Sequence, residues 1–466
     1  MTTKRFSLLF LILFIFFGSA QVSRAQEPEF PEFQSIATIG VHDWEFFTIG
    51  SDHYLAVASL YDGFTRNLNS KIYKWNGTNF VEFQSIATNG ALDWEFFTIG
   101  SDYYLAVANY HNGSTYNINS KIYKWNGTIF VELQSIPTNG GRDWEHFTIG
   151  SNHYLAVINN TGINKIYLWN GTNFVEFQSI ATNQAVDWKF FTIGSDYYLA
   201  VAIYNNGSTY NTNSKIYHWN GTIFVELQSI PTNGAIYWEY FTIGSDHYLA
   251  VANCYNGSTR NNNSKIYRWN GTSFVEFQSI PTSAAQDWEH FTIGTDHYLA
   301  VANHYNDSTH NIDSKIYRWN GTSFVDFQSI PTNGARDWEF FTIGNTRYLA
   351  VANERNGSNY NINSKIYKAT FYTYLPLILK PEPLTHLYVK STNTGGINPA
   401  QIRDPNDGDS LLLSCTIGNN VTTYCGSFPA VGTYRIIAYT ASCGVQQKIF
   451  HDANAGATIT REVYCD

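Results

Sequence analysis

Charge is scarce in this chain: Asp, Glu, Lys and Arg together make up 14% of its 466 residues. Lys and Arg occur singly, and the formal net charge is -9. A nucleic-acid partner is therefore not expected, because such partners call for a basic patch or stripe. Long apolar runs are also missing. The run Phe6 to Phe17 is too short for a comfortable membrane span, and nothing after it approaches the roughly 20 apolar residues a helix needs to cross a bilayer. No membrane span is expected beyond that segment. Cysteine is nearly absent from the first 414 residues, where Cys254 stands alone, so disulfides cannot hold the bulk of the chain together. Catalytic signatures are wanting too. There is no Gly-x-Ser-x-Gly elbow, His-Glu-x-x-His helix, P-loop, dinucleotide fingerprint or Cys-x-x-Cys pair.

Aromatic residues, by contrast, reach 17%, the composition of a packed protein built from half-buried strands. The first residues have the layout of a signal peptide over 1–25: Lys4 and Arg5, the apolar run, then small-residue cleavage options at Ala20 and Ala25. The expected product starts near Gln26 and is secreted or displayed at the cell surface, an uncleaved anchor being the lesser reading. Cys415, Cys425, Cys443 and Cys465 fit export, since an even set suits two disulfides in an oxidising compartment.

Repetition decides the expected fold. The segment around Trp44 returns at Trp94, Trp144, Trp188, Trp238, Trp288 and Trp338, every 50 residues except for one interval of 44. The short copy has lost residues between Asn159 and Lys165, which marks a surface loop. Each copy carries four β-like runs, in the first Trp44 to Ile49, Tyr54 to Ala58, Lys71 to Trp75 and Phe80 to Ile86. The third and fourth are joined by Asn76-Gly77-Thr78, a hairpin signal because Asn and Gly tolerate positive φ. The second run is apolar on both faces and must be covered on both sides, as stacked blades would do. Phe30 to Ile36 matches the fourth run yet precedes any first run, and the seventh copy stops after its third run at Lys368. The expectation is an all-β, seven-bladed propeller over 26–370, closed by its N-terminal strand so that no edge is left open.

The run Phe83-Gln84-Ser85-Ile86, Asp93-Trp94-Glu95, Tyr104-Leu105-Ala106-Val107-Ala108-Asn109 and Ser120-Lys121-Ile122-Tyr123-Lys124-Trp125-Asn126-Gly127 resembles the EAR repeat, also called the EPTP or epitempin repeat. The resemblance covers about residues 30 to 370. It implies a seven-bladed propeller, as in secreted leucine-rich glioma-inactivated proteins and related receptors whose members bind extracellular proteins. Their leucine-rich repeats are missing here, so the fold carries over and the particular partner does not.

Residues 371–383 read as an apolar, proline-closed linker, and 384–466 as a small β-sandwich stapled by two disulfides, with Cys415 to Cys425 and Cys443 to Cys465 the pairing favoured by short intervening chains. Asp404 to Asp409 approaches a calcium loop but places its Gly one residue early, so a plain acidic turn is preferred.

Two groups of residues are candidates for function. In a blade running up, down, up, down, the loops after the second and fourth strands emerge on one face, and the differences among copies concentrate there. Tyr61, Arg66, His111, Tyr116, Tyr204, Tyr210, Tyr255, Arg260, His304, Tyr305, His310, Arg355 and Tyr360 lie in these loops, and Tyr and Arg are typical contact anchors. The expected function is non-catalytic recognition of an extracellular protein by this face, with a glycan as the alternative. A carboxylate-dependent glycoside hydrolase or lyase is the least favoured reading, because a near-symmetric ring does not place two carboxylates in different environments. The second group is the set Asp43, Asp93, Asp143, Asp187, Asp287 and Asp337, expected to cap backbone or Trp N–H groups. No cofactor is expected, unless that ring holds a calcium ion in the central channel. Cys254, in a varied loop, has an intermolecular disulfide as one reading and an incidental free thiol as the preferred one.

Overall fold

The computed structural model describes residues 28–160 and 162–370 in full, and beyond them the backbone of seven strands between 384 and 463. The expected signal peptide and the linker 371–383 lie outside the described residues, as do most of the acidic turn at 404–409 and all four C-terminal cysteine side chains.

The repeats form seven four-stranded antiparallel sheets, the blades of a propeller. The first blade consists of Val41–Ile49, Asp52–Ser59, Asn67–Trp75 and Phe80–Asn89, in that spatial order. The strands run longer than the apolar runs alone indicate, because polar residues such as Asn67 to Asn69 continue the ladder. The seventh sheet, Ala335–Ile343, Thr346–Asn353 and Asn361–Lys368, has Glu32–Ile39 as its fourth strand, paired antiparallel from Glu32 opposite Tyr367 to Ile39 opposite Asn361.

Blades pack through the second strand, whose two faces enter different interfaces. Leu55 and Val57 pack with Tyr348, Ala350 and Ala352 of the preceding blade, whereas Tyr54, Ala56 and Ala58 pack with Trp94, Leu105 and Val107 of the next. The inner-strand tryptophans are 0–2% exposed. Phe47 stacks on Phe96 of the following blade with centroids 4.5 Å apart. Such buried aromatic contacts are the main apolar glue between blades.

A second lock runs around the outer strands. The Gln84 side chain donates from Nε2 to Phe130 O at 2.8 Å and accepts the Phe130 N–H on Oε1 at 2.9 Å, as another strand would. The same two-bond clasp joins Gln34 to Phe80, Gln134 to Phe174, Gln178 to Phe224, Gln228 to Phe274 and Gln278 to Phe324. At the last blade the Phe30 N–H donates to Gln328 Oε1 at 3.3 Å.

The chain divides into two compact units, Met1–Tyr372 and Thr373–Asp466. In the second, Thr422–Pro429, Leu384–Ser391 and Thr458–Val463 make a three-stranded sheet, and Ser410–Ile417, Ile397–Asp404, Gly432–Thr440 and Gly444–Asp452 a four-stranded one. Among the described residues no helix is long and apolar enough to cross a membrane.

Candidate functional site

An inner strand would expose unpaired amides toward the neighbouring blade, and the Asp-Trp-Glu sequence answers this need. The N–H of Trp94 donates to Asp43 Oδ2 at 3.0 Å. Asp93, Asp143, Asp187, Asp287 and Asp337 accept in the same way from Trp144, Trp188, Trp238, Trp338 and Trp44 at 2.8–3.0 Å. Two residues on, Glu45, Glu95, Glu145, Glu289 and Glu339 accept from Phe96, His146, Phe190, Phe340 and Phe46. These are hydrogen-bonded rungs between blades, each satisfying an inner-strand amide that would otherwise be buried unpaired. The ring breaks at Tyr237, and there Lys189 Nζ pairs with Glu239 at 2.8 Å and lies 5.6 Å from the Tyr237 ring centroid.

The rungs crowd carboxylates around the axis. Burial first, then neighbouring carboxylates, push Asp43, Asp93, Asp143 and Asp287 well above the ordinary Asp value. Burial raises Asp337 to about 7. With one oxygen of each Asp engaged by an amide, the calcium expectation finds no supporting cluster: among the described residues no group of three or more His, Cys, Asp or Glu side chains is arranged to hold a metal ion.

The aspartates line a cavity of about 240 Å3 that also touches His42, Leu92, Arg142, Val186, Ile236, Gln286 and Arg336. These seven residues, each two places before the inner-strand Trp, were missed in the candidate set. A column-by-column comparison would have found them, since this position differs in nearly every copy while its neighbours repeat.

On the varied face the candidate residues meet across blades. Tyr61 packs edge-on against Tyr360 at 5.2 Å, and the Arg66 guanidinium sits 5.0 Å from Tyr61 and 5.9 Å from Tyr110. Tyr116 contacts Tyr110 at 5.0 Å and His111 at 4.4 Å. Tyr210 joins Tyr204 at 5.1 Å to Tyr255 at 4.7 Å, and Arg260 lies over Tyr255 and Tyr305 at 4.9 and 5.4 Å. Tyr305 contacts His310 at 4.5 Å, which contacts His304 at 4.7 Å. Arg355 donates to Tyr360 Oη at 2.7 Å. The collar is interrupted at the third blade, where the loop is short.

Two of these residues depart from a surface role. His304 and His310 are 7% and 8% exposed and belong to the wall of a pocket. His304 meets Glu354 at 2.7 Å, and Glu354 also pairs with Arg336 at 2.8 Å. Burial and the Arg336 charge hold His304 down at about 3, so it is neutral. Burial alone would raise Glu354, but Arg336 and His304 outweigh it and keep the carboxyl well below its usual range. Cys254 is a free thiol, as preferred from the sequence, and only the lesser reading of an intermolecular disulfide loses support. Its thiol is buried, accepts from Gln286 Nε2 at 3.2 Å and has its pKa raised by burial, so it is not presented for an intermolecular disulfide. The first residue of the long loop is buried in three copies, at Cys254, His304 and Glu354, which the loop's polar sequence hides.

One exposed residue escaped sequence reasoning. Phe64 is 94% exposed at the tip of the first loop, where most other copies have Ser. The opposite face is uniform: Asn76 Oδ1 accepts from the N–H groups of Thr78 and Asn79, and Asn126, Asn170, Asn220, Asn270 and Asn320 repeat that turn.

Seven segments of the chain, 29–76, 79–126, 129–170, 173–220, 223–270, 273–320 and 323–368, match the model of the EPTP domain. The chain belongs to the EPTP-repeat family. Two curated relatives are the mouse and human proteins named "Thrombospondin-type laminin G domain and EAR repeat-containing protein", 52% and 50% identical over 48 residues. The match covers 10% of this chain and 7% of each relative. A solved structure titled "Crystal structure of BBS1N in complex with ARL6DN, soaked with mercury" aligns with 73% of this EPTP-repeat chain and 97% of its own, at 13% identity and a TM-score of 0.48.

Proposed function

We propose that this EPTP-repeat protein is a secreted, non-catalytic binding protein that recognises an extracellular protein through the varied face of the propeller. One observation carries the reading: Tyr and Arg side chains from separate blades touch one another on that face, whereas the other face repeats a single Asn turn. Aromatic and Arg residues held in place by neighbours have less side-chain freedom to lose on binding, which favours affinity. The carboxylates near the axis are engaged as near-equivalent rungs, which supports binding over hydrolysis. Glycan recognition is the second reading, favoured by a pocket on the same face. The reading also takes Glu32–Ile39 as the clasp of the ring, and the C-terminal unit as a small β-sandwich stapled by Cys415, Cys425, Cys443 and Cys465.

The test is a screen of the purified chain against extracellular domains. It is repeated with Tyr204, Tyr210, Tyr255 and Arg260 changed together to Ala, and separately with the Asn76, Asn126 and Asn220 turns changed. The varied-face variant should lose the partner with an unchanged melting curve. Loss only in the turn variant would place recognition on the opposite face.

A further inference from the structure

A pocket of about 540 Å3 opens on the varied face, within the range of small-ligand sites. Its lining includes Arg142, Arg260, Arg336 and Arg355 and contains no Asp or Glu. The concentration is unusual in this chain, since only eight arginines occur between residues 28 and 370. Arg336 is spent on Glu354 and Gln286. The other three are positioned mainly by uncharged groups. Arg142 donates to Asn160 Oδ1 at 2.9 Å and lies 4.8 Å from the Tyr110 ring; Arg355 donates to Tyr360 Oη; Arg260 rests over Tyr255 and Tyr305, with Asp307 3.7 Å away at the rim. The Nε atoms of Arg142 and Arg355 are buried without a hydrogen-bond acceptor. Guanidinium groups fixed by tyrosines keep charge and donors for an incoming anion.

We infer that this pocket binds an acidic sugar, with the sugar carboxylate taken by Arg142, Arg260 and Arg355 and the ring lying against Tyr204 and Tyr305. The volume fits a sugar unit better than a single acidic side chain, and tyrosine supplies both an apolar face and a hydroxyl for hydrogen bonding. The inference rests on the assignment of recognition to the varied face but needs no protein partner, so the two fail separately. The aspartate-lined cavity shares Arg142 and Arg336 with this pocket, and its raised carboxyl pKa values lessen its opposition to an anion there.

The experiment is calorimetric titration of the full chain with glucuronic acid and N-acetylneuraminic acid, against glucose, sodium acetate and triglutamate. One acidic sugar should bind, more weakly as salt rises. Arg142→Gln with Arg355→Gln should weaken it by about tenfold or more, the loss expected for charge-assisted hydrogen bonds. Arg260→Gln, a half-exposed change safer for folding, should weaken it in the same direction. Binding of triglutamate or acetate as tight as that of the sugars would overturn the sugar assignment, and so would equal binding of glucose. No binding of either acidic sugar by a folded chain would overturn the site.

Discussion

Replacing Asp337 by Asn removes a charge from the axial ring while keeping an acceptor for the Trp44 N–H. The ordinary value of 3.8 rises to about 7 for this carboxyl, chiefly because it is buried. The sign follows: the folded state holds the proton more tightly than the unfolded chain, so stability is full below about pH 4 and is lost as pH climbs through about 7. A rise of that size is worth roughly 4 kcal/mol if solvent is excluded, at about 1.4 kcal/mol per pKa unit. Asp337 also lines the axial cavity, and partial access to it brings the expected gain to about 2 kcal/mol. Asp337→Asn should therefore melt higher than the natural chain at pH 8, come close to it at pH 4, and show a flatter pH profile between. Asp337→Ala, which leaves the Trp44 amide without its acceptor, should lose about 1–3 kcal/mol of that advantage. Thermal melts by circular dichroism from pH 4 to 8 decide the matter. If Asp337→Asn is as destabilised as Asp337→Ala at pH 8, the charge itself is needed. A calcium-dependent melting rise seen only in the natural chain would then identify its counter-ion.

Further outcomes follow from the inter-blade contacts. Gln84→Ala removes both bonds to Phe130 and should cost about 1–3 kcal/mol in denaturant melts, at 0.5–1.5 kcal/mol for each bond; an unchanged midpoint would deny the outer clasp any role. Removing residues 26–38 strips the strand paired with Asn361–Lys368 and should give a chain that aggregates or melts without cooperativity, whereas unchanged melting would refute closure by that strand. Cys254 should resist alkylation in the folded chain and react after unfolding, as mass spectrometry would show; rapid native labelling would contradict its burial.

Much of the architecture was legible in the chain because its copies are nearly identical: seven tryptophans count the blades, and Asn-Gly turns mark the hairpins. Strand ends were less legible, since the ladder runs on through polar Asn67 to Asn69, where apolar patterning gives no signal. The carboxylate rungs were foreseen as caps, but their partners lie a whole repeat away and only the packing of one blade on the next brings Asp43 to Trp94. Arg142, Gln286 and Arg336 were overlooked because each is a single changed letter at the start of an inner strand. His304 and Cys254 read as surface residues, yet the loop bends its first residue into the pocket wall. Glu354 shows the same effect: a lone acid in a polar loop becomes, on folding, the buried partner of Arg336 and His304.

The assignment of recognition to one face is tested most directly by hydrogen–deuterium exchange of the chain with and without the extracellular partner found by the domain screen. Binding should slow exchange in the loops 60–66, 110–116, 204–210, 254–260, 304–310 and 354–360 and leave the turns at Asn76, Asn126, Asn220 and Asn270 unchanged. Protection confined to those turns, with the six loops exchanging as in the free protein, would contradict it.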